Sequence, residues 1–152
     1  MESKMYRKEI RILVSSLSAL LITILYSLYV YHRYVAGNPE ILNSLRFWGK
    51  AMVFMAPVMI VAQIIIHIIY AIINKIVTDT DIPVITDEMD KLIELKALRI
   101  SHWIFVMGFF LSMILLATGA KLTVFFLMLI VVGFISSFAA DMARIIYYRK
   151  GV

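Results

Sequence analysis

The sequence predicts an all-α fold, a polytopic integral membrane four-helix bundle made of two helical hairpins. Composition leads there first. Of 152 residues, 62% are hydrophobic and 16% charged, with a mean hydropathy of +0.92. A soluble chain is about half apolar and about a quarter charged. The excess is also concentrated in four uncharged runs: Ile12 to Tyr31, Ala51 to Asn74, Ile100 to Ala120 and Leu122 to Ala140. Each is about 20 residues, enough for roughly 30 Å of hydrocarbon at ~1.5 Å per residue. Expected spans are about 12–33, 49–74, 99–118 and 121–146, in one transmembrane domain over 1–152 with a connector at 75–98.

Residues 1–11 form a basic, amphipathic lead-in. The first apolar run is too long for a signal-peptide core, and His32 and Arg33 follow where small residues would mark cleavage. It reads as an uncleaved span. Gly37-Asn38-Pro39 signals a turn. The following ILNSLRFWGK reads as an interfacial helix with Phe47 and Trp48 at headgroup level. Pro57 lies inside the second span, where a membrane helix tolerates it as a kink.

Thr86 reads as the N-cap of the next helix, with Asp87 and Glu88 in the first turn, where the helix dipole favours acids. No stop signal separates that charged start from the third span, so one long helix is expected to run from the cytoplasm into the membrane. The link Thr118-Gly119-Ala120-Lys121 is short enough to force an antiparallel hairpin with the fourth span. His67-Ile-Ile-Tyr70 and Arg144-Ile-Ile-Tyr147 hint at duplication of a hairpin.

Charge sets the expected orientation. Eleven Lys and Arg residues lie in the lead-in, the central connector and the last segment; Arg33, Arg46, Lys50 and Lys121 lie on the other side. The positive-inside rule puts both termini in the cytoplasm of a multi-pass cell-membrane protein. The net charge of +5 follows from that orientation and gives no reason to expect direct nucleic-acid binding.

Polar residues within spans are costly and mark candidate sites. Gln63, His67, Tyr70 and Asn74 share a face of the second span; Ser137, Asp141, Arg144 and Tyr148 repeat that spacing on the fourth. Gln63, His67, His102, Asp141 and Arg144 are the candidate binding residues, for a polar pocket or ion path if they do more than fix packing. Haem would need His67 and His102 on facing helices, at depths differing by roughly 7 Å. Zinc chemistry would draw on His67, His102 and Asp141, but no His-Glu-x-x-His motif is present. No catalytic residues, metal or cofactor are expected; with no cysteine, disulfides and thiol chemistry are excluded.

Asp87, Glu88, Asp90 and Glu94 form an acidic cluster. It reads either as a docking surface for a basic partner or a weak cation site, or as a solvated face paired with Lys4, Arg7, Lys8 or Arg149. Small residues recur every four positions: Ser15, Ala19, Thr23 and Ser27; Gly108 and Ser112; Gly133 and Ser137. Such spacing lets helices approach closely, within a chain or in a homo-oligomer.

Asp87-Glu88-Met89-Asp90, then Ile93 to Ser101, and the closing Tyr-Tyr-Arg-Lys-Gly together resemble a family of small four-span bacterial and archaeal membrane proteins, known as a domain of unknown function. The resemblance covers residues 87–151. Met89 and Lys150 stand where that family's pattern has Arg. The likeness implies a membrane partner for a cytoplasmic regulator and adds no catalytic residues. The resulting expectation is a non-enzymatic contact or regulatory protein, with an oligomeric transporter or channel subunit as the alternative.

Overall fold

The computed structural model describes residues 2–78 and 88–150. All four long elements are helices: α1 (Glu2–Val30), α2 (Leu45–Thr78), α3 (Glu88–Ala117) and α4 (Leu122–Lys150). Each is long and apolar enough to cross a membrane. Large apolar side chains point outward along all of them, Leu17, Phe54, Ile76 and Phe110 among them. The expected N-cap Thr86 lies outside the described residues.

α3 and α4 form the tight pair. Their turn is closed by Gly119 at φ 94°, a conformation that favours glycine. The Ala120 N–H donates to the Leu115 carbonyl at 3.0 Å and the Gly119 N–H to Leu116 at 3.1 Å. These are the paired bonds of a Schellman ending, and they satisfy carbonyls that the last helical turn leaves free.

Along the seam Ile93, Ala97 and Ser112 of α3 are fully buried. Ala97 meets Ala140 and Ala143, flanked by Ile100 and Tyr147. A Cβ at Gly108 would run into the Val132 side chain, so this glycine sets how closely the helices approach. The buried hydroxyls of Ser112 and Ser136 turn back onto the carbonyls of Gly108 and Gly133, so neither needs a partner across the seam. On α4 the packed residues are Val132 and Ser136; Gly133 meets open space and Ser137 is exposed. The expected Gly133–Ser137 stripe is therefore one position out of register with the observed face.

α1 and α2 form the other hairpin, joined by a π-helical turn at Tyr31–Val35 and a 3-10 turn at Pro39–Asn43. The segment expected as one helix over 41–50 is split at Ser44: residues 41–43 belong to the 3-10 turn and 45–50 to the start of α2, which the Ser44 Oγ caps by accepting from the Phe47 N–H. Trp48 packs inward. It is 6% exposed and stacks on Phe126 of α4 at 5.1 Å between ring centroids. Its indole N–H and the Thr123 hydroxyl converge on the Leu42 carbonyl, at 2.8 and 3.2 Å. This corner ties both hairpins together at the end holding the Gly119 turn. α2 runs unbroken through Pro57, whose ring is on an exposed side.

In space the helices follow the order α2, α1, α4, α3. α1 packs on both α2 and α4, while α2 and α3 stand at opposite edges without comparable contact. The two expected hairpins are present, but they lie side by side rather than closing into a ring. Antiparallel contacts fix the register of α1 and α2: Tyr26 Oη donates to the Ala51 carbonyl at 2.7 Å, Thr23 Oγ1 lies 3.8 Å from Met59 Sδ, and Ser15 meets Gln63. Ser15, Ala19 and Thr23 are indeed the packed face of α1, whereas Ser27 is exposed.

Gly108→Leu is expected to force the α3–α4 seam apart at a cost of about 1–3 kcal/mol, the range for overpacking a filled site. Adding Val132→Ala should recover part of that loss. Thermal unfolding of the two variants in one detergent checks both statements; equal destabilisation by single and double variants would refute the seam geometry.

Candidate functional site

The polar groups gather around three serines of α1, Ser15, Ser16 and Ser18. Ser15 Oγ donates to Gln63 Oε1 at 3.3 Å, and Gln63 Nε2 reaches the Ser15 carbonyl and Ser18 Oγ at 3.3 and 3.4 Å. Ser16, between them, is buried on the other side of α1, with its hydroxyl in hydrogen-bonding range of the Asp141 carboxyl. The Ser-Ser-Leu-Ser segment therefore holds Gln63 of α2 and Asp141 of α4 at one level. In the sequence only Ser15 stood out. The overlooked signal was three hydroxyls in four consecutive residues of an apolar run.

Asp141 is buried and pairs with Arg144 one turn on, at 2.7 Å. Arg144 also points to Glu94 of α3 at 3.8 Å. Asp141 thus has a hydroxyl and a guanidinium as partners, which buried charge requires. Further toward the termini, the Tyr148 hydroxyl bonds Asp90, and Lys96 Nζ lies 5.7 Å from the Tyr147 ring centroid. Glu9 completes the set. It is buried and receives both Arg149 Nε and Nη2, at 2.9 and 2.8 Å. Such a fork is the strong geometry for Arg and carboxylate. Here it clamps the start of α1 to the end of α4.

The predicted residues thus separate into groups. Asp141 and Arg144 come together, and Gln63 lies across α1 from them. The two polar stripes do not meet directly, because α1 stands between α2 and α4. His67 is half-buried on α2, while His102 is exposed on α3, beside the Trp103 ring. These histidines belong to the two edge helices, which is not the facing arrangement a haem would need. Among the described residues, no three His, Asp or Glu side chains gather as a metal-ligand set.

Of the acidic cluster, Asp87 lies outside the described residues. Asp90 and Glu94 turn partly inward to Tyr148 and Arg144, and Glu88 is exposed. Arg149, one of the cations expected to meet this cluster, is held by Glu9 instead. The opposite side of the same turns carries Lys91, Leu92 and Leu95, all exposed, Leu95 at 64%.

Removing Asp141 leaves Arg144 with only the distant, exposed Glu94. Asp141→Ala is therefore expected to cost about 1–3 kcal/mol, while Glu94→Ala costs less than about 1 kcal/mol. A double-mutant cycle with Arg144→Ala, read by thermal unfolding, should show coupling at position 141 and little at 94. For the clamp, Glu9→Gln and Arg149→Gln should each release the termini and not add when combined. Limited proteolysis near either terminus reports that release, and additive effects would show the clamp to be absent.

No family model, curated protein or solved structure matches this chain.

Proposed function

We propose that this chain is an integral membrane protein that works through protein contact, without catalysis, at the end where its two termini and the start of α3 gather. Both termini are taken to be cytoplasmic, on the strength of the Lys and Arg distribution. The observation that carries the contact reading is the first three turns of α3. They are charged, form one helix with an apolar span, and are fastened to α4 through Ile93 and Ala97. Their far side leaves Lys91, Leu92 and Leu95 outward, a mixed polar and apolar strip of the kind partners use. A shift between α3 and α4 in the membrane would move this strip as a rigid body. The likeness of residues 87–151 to small membrane proteins makes a cytoplasmic regulator the partner we favour.

Affinity purification from native membranes in mild detergent, with mass spectrometry of what co-purifies, tests this reading. A stoichiometric cytoplasmic regulator is expected, lost at least about tenfold in the Lys91→Glu, Leu95→Gln variant; removing an apolar anchor and reversing a charge are each worth about one decade at an interface. Both positions lie off the seam, so thermal unfolding should be unchanged. Co-purification unaffected by the variant would refute the surface. Extraction of the chain from membranes by alkaline carbonate would refute membrane integration itself.

One observation favours a second reading, an oligomeric transporter or channel subunit. Gln63, Ser16 and Asp141 lie at one level within apolar helices, and α2 and α3 leave the arrangement open for a neighbouring copy. Solute or ion flux into liposomes that falls in Asp141→Asn would support it; equal flux in the variant would count against it.

A further inference from the structure

We propose that Arg99, His102 and Trp103 form a surface site for the phosphate headgroup of an anionic phospholipid. The inference rests on the membrane reading above and adds a ligand to it. The three residues sit at i, i+3 and i+4 on α3, and all are exposed. Such positions are neighbours on one helix face. Ala97 is fully buried against α4, and Arg99 lies two residues further, about 200° around the helix. The site therefore looks away from the protein, and α3 packs on no other long helix there.

Its depth is fixed by its neighbours. Ala97 and Ile100 pack beside Ala140 and Ala143, so Arg99 is level with the place where α4 turns from an apolar run to Asp141 and Arg144. This is where an apolar helix meets headgroups. Arg144 is engaged by Asp141 and Glu94, and Arg149 by Glu9. Arg99 and His102 have no ion-pair partner among the described residues.

The chemistry suits a phosphodiester. A guanidinium offers a fork of donors that fits two phosphate oxygens. The imidazole one turn away supplies a further N–H. Trp103, 58% exposed and edge-on to His102 at 6.3 Å, brings an indole N–H on an amphipathic ring. Two turns further into the apolar run, Phe110 is 60% exposed on the same face and lines the path of an acyl chain. A charged head with an apolar tail below it matches a lipid and not a free anion.

The two tryptophans make the test direct. Trp48 is shielded by Phe126, whereas Trp103 is open. The protein is placed in phosphatidylcholine nanodiscs doped with phosphatidylglycerol, with acyl-chain bromine on one lipid or the other. Quenching in Trp103→Phe gives the Trp48 background. At Trp103, brominated phosphatidylglycerol should quench as though enriched about fivefold over bulk, the factor for one basic residue near an anionic surface. In Arg99→Gln, His102→Gln the enrichment should vanish, with the elution volume unchanged. Quenching by both lipids without preference overturns the site but leaves the membrane reading intact. A preference that survives the double substitution also overturns it. No quenching by either lipid removes the membrane reading, and the site with it.

Discussion

The absent side chain at Gly108 is the constraint on which the arrangement depends. Because Val132 occupies the space a Cβ would take, α3 lies close against α4 over its length. Close approach then determines what can be reached across the seam. Alanines suffice at 97, 140 and 143, and the flanking polar side chains span the remaining gap. Arg144 meets Glu94, Tyr148 meets Asp90, and Lys96 lies over Tyr147. If the pair lies in hydrocarbon, as proposed above, no general apolar driving force holds the helices together, and packing of small residues and satisfied polar groups does so.

α1 solves a different problem. It has neighbours on both sides, and its hydroxyls serve each of them. Ser15 and Ser18 satisfy Gln63, while Ser16 turns toward Asp141. The serines thus give the half-buried Gln63 amide its partners and add a hydroxyl to the Arg144 guanidinium that already meets the Asp141 carboxyl. The same helix carries Glu9 at one end, clamped by Arg149, and leads at the other into the turn that brings Trp48 onto Phe126. The two hairpins are thus joined at both ends by unlike means, an ion pair and an aromatic stack.

Much of this was legible in the residues. Uncharged runs located four helices, and Gly119 beside a four-residue link located the α3–α4 hairpin. The pairing of Asp141 with Arg144 follows from their spacing on a helix. What spacing alone did not select was which face of α4 packs on α3. Gly133 and Ser137 have the same spacing as Val132 and Ser136, and only the position of Gly108 across the seam selects the latter pair. The stacking of Trp48 on Phe126 was not legible, because Phe126 lies 78 residues away in the chain and nothing local to Trp48 points to it. His67 and His102 match in chemistry, but spatial neighbours are a property of helix order, which periodicity within one helix does not encode.

The order α2, α1, α4, α3 bears on how the chain is made. Synthesis delivers α1 first and α4 last, yet these two are direct neighbours. Ser16 and Glu9 therefore leave the ribosome long before Asp141 and Arg149 exist to receive them. During that interval α1 has only α2 beside it, with two polar groups still unmet. On the membrane reading proposed above, the exposed side of this half-assembled hairpin is what an insertion chaperone would have to cover.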